Sequence, residues 1–256
     1  MTGATAERKW SDRLLGQKNQ PTDPGQDPRT VVFLRLWVGL IGGLLAIALI
    51  IWNAVAGDPT IVPASMSGTY WTSSRDLFVG SLCALGVFMF GYRETERTNR
   101  VTWLAGICAV VVAFFPTDPV RPATEPQWIS IVHHVAAAGL ILTLGLFCWL
   151  VFAEVAAPAI PDHASVAARL RAWWTAIWQT FRGAVANALY LIAGFVVFAC
   201  AGLALYTGLG SPGWSRGWPS LYLFEALAVF AFGVAWFTAA VQHWRRYIKD
   251  AVPEAE

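Results

Sequence analysis

The stretch that decides the fold is residues 62–93, VPASMSGTYWTSSRDLFVGSLCALGVFMFGYR. It begins as a polar loop, passes through the adjacent charges of Arg75 and Asp76, continues as an apolar segment and ends at a basic turn. The other long apolar segments lack such a charged entrance. Because ionised side chains are costly inside hydrocarbon, this pattern indicates a membrane helix that starts at a polar surface.

The composition of the whole chain agrees with a membrane environment. Of its 256 residues, 56% are hydrophobic and only 13% are charged, whereas a soluble domain usually carries about 25% charged residues. A net charge of +2 without a basic cluster argues against a nucleic-acid partner. The four cysteines stand apart inside apolar runs, so no CxxC redox or zinc motif is present. These features predict a multi-pass protein of the cell membrane, with membrane lipids as its first partners.

The apolar runs predict an all-α, polytopic bundle of six transmembrane helices. Residues 1–30 are polar and proline-containing, which is typical of a disordered cytoplasmic tail. The membrane domain is predicted over residues 31–242 and a second, charged cytoplasmic tail over residues 243–256. The six spans are expected at 31–55, 76–92, 101–115, 128–152, 188–209 and 220–241.

Two local patterns add detail to this bundle. Gly39 and Gly43 have the GxxxG spacing that lets a second helix approach the first span closely. Residues 163–187 carry a Trp-rich apolar stripe at helical spacing, with polar side chains largely elsewhere around the helix. This second segment is either an amphipathic helix in the membrane interface or an extension of the fifth span.

The distribution of Lys and Arg predicts the orientation of the bundle. With six spans, fourteen of the eighteen Lys and Arg residues fall on the side of the amino terminus and three on the other side, while Arg35 lies just inside the first span. Basic residues concentrate on the cytoplasmic side of membrane proteins. Both termini are therefore expected in the cytoplasm.

This orientation brings polar residues of several segments to the extracytoplasmic end, which predicts a polar ligand-binding pocket there. Asp76, His134 and Glu225 are also candidates for catalytic groups. A buried ion-pair network that only fixes the packing is the alternative explanation. The residues of the expected pocket are Ser65, Ser67, Tyr70, Arg75, Asp76, Asp118, His133, His134 and Glu225.

The histidines do not favour a metal or haem site. His133 and His134 are adjacent, so their side chains diverge by about 100° on a helix and only one can face the pocket. An HxxxH pair is absent, as are the paired histidines on facing helices that a haem would need. No lysine lies within a predicted span, which excludes a retinal Schiff base. We therefore predict neither a metal nor a cofactor.

Four segments together suggest a family. The runs SMSGTYWTSSRDLFVGSLCALGVFMFGYR, AGICAVVVAFFPTD, IVHHVAAAG and LFEALAVFAFGVAW resemble a group of uncharacterised bacterial six-span proteins similar to the Frag/DRAM/Sfk membrane superfamily. The resemblance covers residues 31–242 apart from the interfacial segment. It implies a six-helix bundle with functional polar residues near one face and a role in lipid remodelling or membrane organisation, but it supplies no catalytic residue.

The sequence thus predicts a membrane protein that binds, senses or organises a lipid or another amphipathic ligand in an outward-facing pocket. One alternative is a membrane-embedded hydrolase or lipid-modifying enzyme that uses Asp76, His134 and Glu225. A small-molecule transporter is a further alternative, although the chain shows no inverted repeat. A second copy of the chain or another membrane protein remains open as a partner.

Overall fold

The computed structural model describes residues 27–93, 96–117, 127–153, 165–183, 185–209 and 219–251. This part of the chain is helical and contains no β-strand. Its seven α-helices are α1 (Pro28–Val55), α2 (Arg75–Gly91), α3 (Glu96–Phe114), α4 (Gln127–Phe147), α5 (Val166–Gly183), α6 (Val185–Leu209) and α7 (Ser220–Ala251). A 3₁₀ turn, Ser67–Trp71, lies in the loop after α1, and a π-helical turn, Cys148–Phe152, follows α4.

Six of these helices form a closed ring. Each packs against the next in the order α1, α2, α3, α4, α6, α7 and back to α1, whereas α5 packs against α6. We call the end of the ring beside the α1–α2 connection, residues 56–74, the loop end. Two hydrogen bonds join neighbouring segments to this connection. Trp71 Nε1 donates to Thr117 O, just after α3, at 3.0 Å, and Tyr222 N, near the start of α7, donates to Ala64 O at 3.0 Å.

Glycine makes the closest helix crossing in the ring possible. A Cβ placed on Gly39 of α1 would lie 2.7 Å from the backbone nitrogen of Phe237 on α7. A Cβ on Gly233 of α7 would collide with the backbone of Gly39 and Gly43. The close approach predicted from the GxxxG spacing is therefore present, and its partner is α7.

Four segments are long and apolar enough to cross a membrane, and all four coincide with predicted spans: Pro28–Val55, Trp128–Phe152, Val185–Thr207 and Ser220–Lys249. The chain thus has the helical character of a membrane protein. The second and third predicted spans are shorter helices, with 17 residues in α2 and an apolar stretch Thr98–Phe114 in α3. The full count of six spans and the side of each terminus stay predictions.

Two helices extend beyond the predicted spans. The last helix continues past residue 241 to Ala251, because the charged sequence after the apolar run keeps good helix formers. Helix α2 begins at Arg75, one residue before the predicted span; Ser74 is its N-cap residue and Asp76 lies in the first turn. An acidic side chain there interacts favourably with the helix dipole.

Side-chain hydrogen bonds stabilise the path of the α1–α2 connection. Asn53, which is fully buried, donates to Ile61 O at 3.2 Å and accepts from Ser74 N at 3.0 Å. The Asp58 carboxylate accepts from the backbone of Thr60 and from the backbone and hydroxyl of Ser73, each at 2.8 Å. These donors stabilise the charged form and lower the pKa of Asp58 below its ordinary value.

Helix α5 is the amphipathic segment predicted over residues 163–187. Ala176 and Ile177 pack toward the core, whereas large apolar side chains on the neighbouring face stay exposed. The guanidinium of Arg182 lies 5.0 Å from the ring centroid of Trp178. The exposed apolar residues of this face are Val166, Leu170, Trp173, Trp174 and Trp178.

Candidate functional site

The ring of helices encloses a cavity beneath the α1–α2 connection. The space between the lining residues, open solvent included, is about 750 Å³. Five helices and the connection form its wall, while α6 contributes no residue. The wall consists of Gly42, Leu45, Met66, Ser67, Phe78, Leu82, Leu85, Met89, Ala105, Ala109, Val112, His133, Ala137, Leu140, Ile141, Leu144, Glu225, Val229 and Phe232.

Polar side chains occupy only one end of this cavity. Ser67 lies in the connection, and His133 and Glu225 are the lining residues of α4 and α7 nearest the loop end. Below them the wall is apolar. From His133 to Leu144 the wall extends over twelve residues of α4, or roughly 16 Å at the helical rise. The cavity is therefore amphipathic along its length.

Glu225 joins the connection to the bundle. Its Oε2 accepts a hydrogen bond from the backbone nitrogen of Met66 at 2.6 Å. One turn earlier on α7, the Tyr222 hydroxyl donates to Ala46 O of α1 at 2.6 Å. Tyr222 and Glu225 lie on the same face of α7, because residues three apart on a helix are neighbours on its surface. Glu225 is thus held at the polar end of the cavity.

The histidine that lines the cavity is His133, whereas the candidate catalytic residue His134 does not line it. His133 is 2% exposed, and its Nδ1 lies 2.6 Å from Phe115 O at the end of α3. Because a carbonyl only accepts, Nδ1 carries the proton. His134 is exposed, and its Nδ1 lies 2.7 Å from Ser130 O of its own helix. The two rings diverge as adjacent helical positions must.

The charged pair of the α2 entrance lies outside the cavity. Arg75 and Asp76 are both exposed, so they form no buried ion-pair network with Glu225. Arg75 instead donates to the Tyr70 hydroxyl at 2.6 Å, with its guanidinium 4.2 Å from the centroid of that ring.

The remaining predicted residues divide between the connection and the undescribed part of the chain. Ser65 accepts from Gly68 N at 2.9 Å and lies 3.5 Å from the Ser67 hydroxyl, so it shapes the turn beside the cavity. Of the expected pocket residues, Ser67, His133 and Glu225 thus come together around one space. Asp118 lies outside the described residues.

A second polar cluster lies at the opposite end of the bundle. Arg35 of α1 is 8% exposed and donates to the Tyr92 hydroxyl at 2.8 Å and to Ala239 O at 3.2 Å. Its guanidinium also lies 5.5 Å from the ring centroid of Phe152. The signal for this cluster was present in the sequence, because an arginine inside an apolar span must find partners in the bundle.

The cavity is better suited to binding a molecule than to coordinating a metal ion. Among the described residues, no group of three or more His, Cys, Asp or Glu side chains could hold a metal ion. The candidate catalytic residues are also divided, since Glu225 lines the cavity whereas Asp76 and His134 are exposed elsewhere.

Comparisons with known proteins add no assignment. No family model, no curated protein and no solved structure shows a significant match to this chain. The resemblance to the Frag/DRAM/Sfk superfamily therefore stays a prediction.

Proposed function

We propose that this protein binds an amphipathic molecule, with its apolar part in the cavity and its polar part beside Ser67, His133 and Glu225. The observation that carries the proposal is the polarity of the cavity, which is apolar over most of its length and polar only beneath the α1–α2 connection. A wholly apolar ligand would leave the polar end unused, and a small polar ligand would leave the apolar walls uncovered.

In a membrane, the cavity has to distinguish its ligand from the surrounding lipid. A hydrocarbon chain gains little by moving from lipid to an apolar cavity, since lipid tails are as apolar as the cavity walls. Shape and the polar end therefore have to distinguish the ligand from bulk lipid. Glu225, held by the Met66 amide at 2.6 Å, is the charged residue that can do so.

The geometry favours binding over the alternative of a membrane hydrolase. That alternative needs Asp76, His134 and Glu225 to act on one bond, but Asp76 and His134 are exposed and outside the cavity wall. No described feature favours transport over binding.

The proposal includes a topology. Six spans, both termini in the cytoplasm and a polar cavity end toward the extracytoplasmic side agree with the fourteen-to-three division of basic residues. Helix α5 would then lie at the cytoplasmic interface, with its exposed tryptophans at headgroup depth. Alkaline phosphatase fusions should be inactive at Glu256 and active at residue 120. The opposite pattern would contradict the orientation.

A matched pair of tryptophan substitutions tests the binding proposal. Ala137 lines the cavity, whereas the next residue, Ala138, is exposed and outside the cavity wall. In lipid nanodiscs, Ala137→Trp should reduce the binding of an alkyl amphiphile at least tenfold, while Ala138→Trp should bind like the wild type. Nanodiscs are needed because detergents are themselves amphiphiles.

Folding of the variants has to be checked in the same preparation. Ala137→Phe provides a smaller obstruction, so the comparison survives if the tryptophan variant fails to fold. Equal binding by well-folded Ala137→Phe and Ala138→Trp would contradict the proposal, because a ligand in the cavity has to compete with the added ring.

A further inference from the structure

We infer that the cavity selects a single-chain amphiphile of about a dozen carbons whose headgroup is a cation or a neutral hydrogen-bond donor rather than an anion. This inference rests on the proposed function and adds the chemical class of its ligand. Two separate features carry it, namely the acidic side chain at the polar end and the length of the apolar part.

The polar end of the cavity contains one acidic side chain. Glu225 is the acidic residue of the cavity wall, and the wall contains neither lysine nor arginine. Arg75, at the start of α2, is exposed and stacked on Tyr70. A cationic headgroup beside the Glu225 carboxyl would favour its ionised form and be attracted to it, whereas an anionic headgroup would oppose ionisation and be repelled by the carboxylate.

The hydrogen bonds around Glu225 also favour a donor. The Met66 amide already donates to Oε2, and the protonated Nδ1 of His133 lies 2.6 Å from the carbonyl of Phe115. These two protein donors are thus committed to protein acceptors, whereas the carboxylate has several lone pairs and can accept more bonds. An ammonium or hydroxyl headgroup supplies the donors that such a site accepts.

The apolar part sets the chain length. Apolar lining residues extend from Ala137 to Leu144 on α4, roughly 10 Å at the helical rise, and from Phe78 to Met89 on α2, roughly 16 Å. Carbon–carbon bonds of about 1.5 Å advance an extended chain by roughly 1.3 Å per carbon, so about twelve carbons fill the longer of these two lengths.

Large buried side chains lie close in sequence to the last lining residues of α2 and α4. Met89 is 2% exposed, and the neighbouring Tyr92 and Phe147 are completely or almost completely buried among the aromatic residues around Trp236. A chain much longer than twelve carbons would have to displace this cluster or leave its end outside the cavity.

The test compares probes that share a twelve-carbon chain and differ in the headgroup. Binding of dodecylamine, 1-dodecanol and dodecanesulfonate is measured on protein in nanodiscs of zwitterionic lipid at pH 7.5, with empty nanodiscs subtracted for partitioning. Alkylammonium groups are charged at this pH. We expect dodecylamine to bind at least tenfold more tightly than dodecanesulfonate, with dodecanol between them.

Glu225→Gln is the matched variant, because glutamine keeps the size and an acceptor for the Met66 amide but removes the charge. It should reduce the difference between dodecylamine and dodecanesulfonate to less than threefold. Hexadecylamine should bind the wild type no more tightly than dodecylamine does.

The outcomes separate this inference from the proposed function. Tighter binding of the sulfonate, a preference unchanged by Glu225→Gln, or an affinity that keeps rising with chain length would overturn the inference. If all headgroups bound equally and Ala137→Trp still blocked them, the cavity would remain the binding site and only the ligand class would be wrong. Binding equal to empty nanodiscs for every probe would contradict both.

Discussion

Replacement of Gly39 by alanine should destabilise the bundle, whereas the same change at Gly43 should not. The Cβ added at Gly39 would lie 2.7 Å from Phe237 N and 3.0 Å from Gly233 O, but a Cβ at Gly43 meets no atom within 4 Å. Carbon atoms in good contact are about 3.5–4.0 Å apart, so α1 and α7 would have to separate by roughly an ångström. Backbone atoms cannot move aside as a flexible side chain can.

The magnitude follows from these two environments. Overpacking of a tight contact costs about 1–3 kcal/mol. Alanine within a helix is favoured over glycine by roughly 0.5–1 kcal/mol, which Gly43→Ala gains without a collision. Because Gly39→Ala gains the same propensity, the two variants should differ by the overpacking cost alone, about 1–3 kcal/mol in the free energy of unfolding, with Gly39→Ala the less stable. Reversible unfolding in mixed micelles, followed by far-UV circular dichroism, measures this difference.

The same substitution also affects the cavity. Gly42 and Leu45 of α1 and Val229 and Phe232 of α7 are parts of its wall, so separating these helices should weaken amphiphile binding as well. Equal stability of Gly39→Ala and Gly43→Ala would refute this reasoning, because it would mean that the two helices are not in close contact at Gly39.

Three further predictions concern polar residues. His133→Ala should cost about 1–3 kcal/mol of stability because it leaves the half-buried Phe115 carbonyl without its donor. The same change at exposed His134 should cost less than half as much. Thermal unfolding of the two variants measures this difference, and equal losses would contradict the prediction. The pKa of Asp58 is lowered by its donors, so its contribution to stability is present above its ordinary pKa of 3.8 and is lost as the pH falls through the lower folded value. The melting temperature of Asp58→Asn should therefore fall less than that of the wild type between pH 5 and pH 2, and parallel curves would contradict this. Asp76→Asn should lose roughly 0.3–1 kcal/mol of helix-dipole stabilisation and leave dodecylamine binding unchanged; a tenfold loss of binding would show that Asp76 belongs to the site.

Much of the helical arrangement was predictable because it depends on local composition. Apolar runs gave the four long spans to within a few residues at most ends, and the spacing of Gly39 and Gly43 indicated a close crossing. The partner α7 could not be predicted, since it lies almost two hundred residues away in the chain and nothing local specifies it. The continuation of α7 to Ala251 was missed because the apolar run, which ends earlier, was used as the boundary.

The candidate site was predictable in its depth but not in its orientation. Glu225 was expected near the loop end, and it lines the cavity there. The choice between His133 and His134 depends on the rotation of α4 about its axis, which the packing against α3 and α6 determines and the sequence of α4 alone does not. The contact between Glu225 and the Met66 amide depends on the path of an irregular loop, for which no periodicity gives information.

Photoaffinity labelling with a dodecylamine that carries a diazirine at its terminal carbon tests the central claim most directly. If the amphiphile enters the cavity with its headgroup at Glu225, the label should attach to deep lining residues such as Leu85, Met89 and Leu144. Ala137→Trp should abolish this labelling, and Ala138→Trp should not. Labelling confined to exposed side chains such as Val87 and Leu142, unchanged by Ala137→Trp, would contradict the account.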